Sequence, residues 1–95
     1  MELNKYLDSK VNRKIIKFYL ENPSSIDTSR GIATWINEDI NKTEKALEEL
    51  AKAKILIRHG NDATSAYGYT TDTHIISKIK IGLERIKTKK RKMPH

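Results

Sequence analysis

Residues 41–60 read NKTEKALEELAKAKILIRHG. The periodicity changes once within this stretch. From Lys42 to about Ala53, the apolar positions Ala46, Leu47, Leu50 and Ala53 recur every three or four residues, which is one face of a helix. Asn41-Lys42-Thr43-Glu44 reads as its start: a polar cap residue, with Glu44 placed to reach back to the cap N–H. Ile55-Leu56-Ile57-Arg58 then has strand character, and Gly60-Asn61-Asp62 signals a turn. Ser65-Ala66-Tyr67-Gly68-Tyr69-Thr70 returns as a second strand with Tyr67 and Tyr69 on one face. The stretch therefore predicts a helix running into a β-hairpin whose tip spans about residues 59–64.

Two more helices are predicted upstream. Val11, Ile15, Phe18 and Tyr19, widened by Ile16 and Leu20, form an apolar stripe over Ser9 to Glu21, with Asp8 as N-cap. Asn22-Pro23 stops this helix, because proline disfavours the helical region for the residue before it. Leu3, Tyr6 and Leu7 precede it as an extra helical turn or a packing arm. Ser24-Ser25-Ile26 is a connector able to hold a strand residue pair. Asp27 then caps a second helix, Thr28 to Asn37, with Ile32, Ala33 and Ile36 inward and Trp35 close by. Gly31 weakens that helix but permits a close neighbour. Glu38-Asp39-Ile40 is the break before the third helix, and Ile40 is expected to plug the core. Downstream, Asp72 to Lys89 predicts a long last helix, in which Ile76, Ile79, Leu83 and Ile86 form an a/d-type seam two heptads long. Gly82 weakens it, and Lys87 to Lys92 form a basic tail.

Composition sets the class. The 95 residues allow one domain plus an association element, read as a domain over 1–75 and a dimerisation helix with a basic tail over 76–95. The absence of cysteine excludes disulfides, a thiol nucleophile and thiolate metal sites. No apolar run approaches the length of a membrane span, and the first residues lack the blocks of a signal peptide, so a cytoplasmic protein is expected. The formal charge is +7, but it is unevenly spread: residues 1–70 hold 11 Lys/Arg against 10 Asp/Glu, and residues 71–95 hold 8 against 2. A basic chain suggests an anionic partner such as nucleic acid, yet the near-neutral body must rely on local clustering. An enzyme is not expected. There is no phosphate-cradling glycine loop, no nucleophile spaced from a base and no ligand cluster, the histidines being scattered at 59, 74 and 95. No cofactor is implied.

The predicted order is helix, short strand, helix, tight turn, helix, hairpin. With Ile32-Ala33-Thr34-Trp35-Ile36 as second helix, Thr43 to Leu50 as third, Lys52-Ala53-Lys54-Ile55-Leu56 as the step into the hairpin and Tyr67-Gly68-Tyr69-Thr70 as the returning strand, residues 9–75 resemble the winged helix-turn-helix superfamily, in particular small regulators of the MarR and ArsR type. The fold so implied is mainly α with a small β-hairpin, followed here by a long C-terminal helix. One departure is Lys54, which stands where such chains usually carry glycine at a positive-φ position.

The resemblance implies a double-stranded DNA partner, with the third helix in the major groove. Lys42, Thr43 and Lys45 would then meet base edges or phosphates, Thr43 being alternatively half buried. Arg30 would meet the backbone, and helix N–H groups near Asn41 would add phosphate contacts. Arg58, His59 and Asn61 would reach an adjacent groove or its phosphates. Each has a plainer reading. The lysines suit a solvated helix face, and Glu48 and Glu49 favour that view. His59 suits a surface position, and Trp35, Tyr67 and Tyr69 suit core or interface. Exposing Ile76, Ile79, Leu83 and Ile86 would forgo about 1.5–3 kcal/mol each, so this helix either folds back on the first or pairs with a second subunit. Pairing, as a homodimer assisted by Leu3, Tyr6 and Leu7, is the expectation. A winged domain serving as a protein-interaction module is the alternative, since fold does not fix function.

Overall fold

The computed structural model describes residues 4–60 and 65–91. A single turn, α1 (Asn4–Leu7), leads into α2 (Lys10–Glu21). Ser9 caps α2, its hydroxyl accepting the Asn12 N–H at 3.2 Å. Asp8, the cap expected from the sequence, belongs instead to the end of α1: its N–H reaches the Lys5 carbonyl, and its own carbonyl takes the Arg13 guanidinium at 2.9 Å. At the other end, the backbone and side-chain N–H groups of Asn22 both donate to the Phe18 carbonyl, and Pro23 follows.

The connector forms β1 (Ile26–Asp27), and α3 (Ser29–Ile36) starts behind it. Its cap is Thr28, not Asp27. Asp27 is held in β1 while its carboxylate accepts the Thr28 N–H at 2.8 Å. That carboxylate lies against Gly31, where a Cβ would come within 2.7 Å of the Asp27 Cγ, so the close neighbour of this glycine is the preceding strand. α3 ends on Asn37 in the left-handed region, φ 57°, with Glu38 N–H donating to Ala33 and Asn37 N–H to Thr34, a Schellman closure.

α4 (Ile40–Lys52) begins earlier than the sequence suggested. Its cap is Asp39, whose carboxylate accepts the Lys42 N–H at 3.0 Å. The box expected at Asn41 is displaced because Asp39 is an equally good cap and its negative charge suits the helix N-terminus. Ile40 consequently becomes the first helical residue and is 38% exposed, not a core plug. α4 closes with Lys54 at φ 65°, Ile55 N–H reaching Leu50 and Lys54 N–H reaching Ala51. Leu50 and Ile55, the apolar pair that accompanies such a closure, are both fully buried.

β2 (Leu56–His59) and β3 (Ala66–Tyr69) form the hairpin, and β1 adds to the far side of β3, giving an antiparallel sheet in the order β1-β3-β2. Ile26 and Ile57 both stand opposite Gly68, while Arg58 and Asp27 stand opposite Tyr67. The inner face carries Leu56, Tyr67 and Tyr69 into a core built with Ile15, Ile16, Tyr19, Ile32, Leu47 and Leu50. Tyr19 fastens helix to sheet: its hydroxyl donates to the Tyr67 carbonyl, and its ring stacks on Tyr69 at 6.0 Å between centroids.

α5 (Thr73–Arg91) is capped by Asp72, whose carboxylate accepts the His74 N–H at 2.9 Å. Its inward face is Ile75, Ile79 and Gly82, and the two isoleucines join the core cluster that contains Leu7. This corrects the seam read from the sequence. Ile79 is fully buried by its own chain and has no surface to offer a partner; Ile76 and Leu83 lie half-buried on the flank; the side chain of Ile86 lies outside the described residues. Ile81, not part of the predicted seam, is 54% exposed. The chain is thus mainly helical with a small antiparallel sheet: a winged helix-turn-helix with a long C-terminal helix.

Candidate nucleic-acid interface

Successive residues of α4 turn by about 100°, so the burial of Thr43, Ala46, Leu47 and Leu50 fixes the outward line as Asn41, Lys45, Glu48 and Lys52. All four are exposed. The two flanks differ. Lys42 and Glu49 lie toward the start of α2, where they share a notch with Ser9 and Asn12. Glu44 lies toward the sheet. The Tyr67 phenol is pushed above its ordinary range first by burial and then, against the nearby Arg58 cation, by the carboxylates of Glu48 and Glu44. The exposed face of α4 therefore mixes three lysines with three glutamates.

Thr43 does not belong to this surface. It is fully buried, and its hydroxyl donates to the Asp39 carbonyl at 2.9 Å, so its inward register leaves no atom for a groove. Asn41 is exposed but caps nothing, and the start of the helix is already occupied by the Asp39 carboxylate, which opposes a phosphate there. Arg30 is exposed in the first turn of α3, where its carbonyl accepts the Thr34 hydroxyl at 3.0 Å. On β2, exposed Arg58 donates from Nε to the Ser65 hydroxyl at 2.9 Å. His59 lies across the outer face of the sheet, its Nε2 3.2 Å from where a Cβ on Gly68 would stand. Asn61 falls outside the described residues. The fold thus brings Asn41, Lys42 and Lys45 together on α4 and leaves Arg58 and His59 on the adjoining hairpin.

Features not anticipated from the sequence lie between α2 and α4. Glu38 forms an ion pair with Lys14 at 2.6 Å, and the same ammonium donates to the Ile36 carbonyl at 3.2 Å. The hydrogen bond from Lys14 holds the Glu38 carboxyl below the usual range, helped by the charges of Lys14, Lys10 and Lys42. Ser9, Asn12, Lys42, Lys45 and Glu49 rim the notch, whose volume is about 250 Å³. A polar residue, Asn12, within the apolar stripe of α2 was the available signal. Away from this face, Trp35 is 70% exposed, with its ring 5.9 Å from that of Phe18. Among the described residues no cluster of three or more His, Asp or Glu side chains is placed to hold a metal, and no helix is long and apolar enough to cross a membrane.

No protein-family model matches the chain, and no curated protein sequence matches it. Among solved structures, a protein of Methanosarcina mazei Go1 described as a "possible transcriptional regulator" is similar, with a TM-score of 0.66 at 16% identity over 98% of this chain and 86% of that one. At that identity the likeness is one of fold.

Proposed function

We propose that the chain is a cytoplasmic regulator of transcription that binds double-stranded DNA as a homodimer, in the manner of small MarR- and ArsR-type proteins. α4 enters the major groove, with Asn41, Lys42 and Lys45 toward bases and phosphates; Arg30 meets the backbone; and Arg58 and His59 of the hairpin, with Asn61 at its tip, contact adjacent backbone or minor groove. The observation that carries this reading is the set of exposed residues Asn41, Lys42 and Lys45 on α4, beside a hairpin that presents Arg58 and His59. The description of the similar archaeal protein adds to it. Residues 1–75 form the DNA-binding body and 76–95 the association helix with its basic tail. Because Ile79 is internal, the dimer contact uses the half-buried flank of Ile76 and Leu83, together with Ile86.

Fluorescence anisotropy of a mixed-sequence duplex over a salt series tests the reading. We expect Lys45→Ala/Arg58→Ala to weaken binding, while Lys87→Gln/Lys89→Gln/Lys90→Gln retains a salt slope of about −0.9 per remaining phosphate contact. Binding abolished by the tail substitutions alone would remove the winged face from the site. A specific observation favours a second reading: Trp35 at 70%, Ile26 at 58% and Ile57 at 41% exposure give apolar contacts suited to a protein partner. Indifference to DNA, with a partner retained by the wild type and lost by Trp35→Ala, would select that reading.

A further inference from the structure

The notch between α2 and α4 combines features that a solvated helix face does not require. Asn12 is only 4% exposed and lines the notch, and its amide, which makes no side-chain hydrogen bond among the described residues, is open to the notch and not sealed in the core. The Ser9 hydroxyl beside it caps α2, whose 12 residues place a positive dipole end there with no acidic residue in the first turn to offset it. The Lys10 and Val11 N–H groups, first in the helix, have no intrahelical acceptor. Lys42 and Lys45 bring two cations from α4, and neither forms an ion pair among the described residues. Glu49 is the opposing charge. It stands one turn beyond Lys45 and confines an anion to the Lys42 end.

We propose that this notch holds one phosphate group of the DNA backbone, with the Asn12 amide, the Ser9 hydroxyl and the Lys42 and Lys45 ammonium groups as its donors. The inference rests on the DNA-binding reading and deepens it. The size of the notch suits a group more than a whole metabolite: about 250 Å³ lies below the roughly 300–1,000 Å³ of small-molecule pockets. Its place suits a backbone phosphate. A helix about 10–12 Å across nearly fills a major groove about 12 Å wide, so residues on its flanks meet the sugar–phosphate strands. Lys42 is such a flank residue, and the start of α2 adjoins it. The same chemistry would accept free phosphate, so the test separates the two sources.

The experiment follows the Asn12 side-chain amide by nuclear magnetic resonance in the full-length labelled chain. Duplex DNA is added, and separately inorganic phosphate, against chloride at equal ionic strength. Anisotropy is measured in parallel for wild type, Lys42→Gln and Asn12→Asp. We expect duplex to shift the Asn12 amide and phosphate to shift it in the same direction. Lys42→Gln should lower the log–log salt slope by about 0.9 and weaken all duplex sequences alike, the mark of a phosphate contact. Asn12→Asp should weaken binding by about tenfold or more through like-charge repulsion. Lys42→Gln, an exposed substitution, and the wild-type shifts serve if Asn12→Asp fails to fold. Duplex binding that leaves Asn12 unmoved and the Lys42→Gln slope unchanged would overturn the proposal while leaving DNA binding intact. A shift with phosphate in a chain that binds no duplex would overturn it in favour of a free anion and remove the DNA reading as well. Movement with neither ligand, in a chain that binds no duplex by anisotropy, overturns both.

Discussion

Lys54 holds φ 65° without being glycine, and the geometry is imposed by two closing bonds, Ile55 N–H to Leu50 and Lys54 N–H to Ala51. A non-glycine residue there is strained by its Cβ, so Lys54→Gly should raise stability by about 1 kcal/mol, read as an upward shift of the urea midpoint with an unchanged slope. Asn37, at φ 57°, pays less because its side chain tolerates the left-handed region. Tyr69 offers the opposite kind of residue-scale test. Among the described residues its buried hydroxyl has no hydrogen-bond partner, and burial pushes the phenol upward. Tyr69→Phe should therefore be neutral or stabilising by up to roughly 1–3 kcal/mol, since it removes an unsatisfied polar atom and keeps the stack on Tyr19. A marked loss in thermal unfolding temperature would show that the hydroxyl has a partner in solution.

The helices themselves were legible because each carries its apolar residues at helical spacing, and their boundaries were not. Asp8 and Ser9, Asp27 and Thr28, Asp39 and Asn41 are chemically equivalent cap candidates lying one or two positions apart. Tertiary contacts select among them: the Arg13 guanidinium holds the Asp8 carbonyl, the strand holds Asp27, and buried Thr43 ties to Asp39. Thr43 leaves the candidate site for another reason: it lies three and four residues before Ala46 and Leu47 and so falls on the buried stripe whichever residue caps the helix. α5 was harder, because Ile75, Ile76, Ile79, Ile81 and Leu83 offer more than one seam, and only packing against Leu7 decides for Ile75 and Ile79. Asp39 permits a separation of roles at this scale. Asp39→Ala should cost about 0.5–2 kcal/mol as a lost cap, whereas Asp39→Asn should keep the fold and, on the proposed DNA-binding reading, tighten duplex binding by removing a carboxylate from the start of α4. Anisotropy checks the second, and a weaker Asn variant would place that end of α4 away from phosphate.

At the scale of the molecule, charge decides more than area. The Lys14–Glu38 pair ties α2 to the segment between α3 and α4. The Glu38 carboxyl titrates below its ordinary range in the folded chain. Its contribution to stability is therefore complete above the unfolded value near 4.3 and is lost as pH falls through the lower folded value. Glu38→Gln should lower the neutral plateau slightly and converge with the wild type at low pH, flattening the acid limb of stability against pH, measured by urea unfolding at a series of pH values. The +7 total and the glutamates set among the lysines of α4 were visible at once, but the sequence could not show that the notch at α2 draws two of those lysines together.

Trp35 gives the chain a built-in optical label. It is the only tryptophan, it is 70% exposed, and its ring stands 5.9 Å from Phe18. An indole facing water in the folded state already emits at long wavelength, so unfolding changes its colour little, and quenching by iodide is efficient before denaturant is added. A blue shift of that emission on mixing would therefore report a macromolecule settling on α3, without any dye attached.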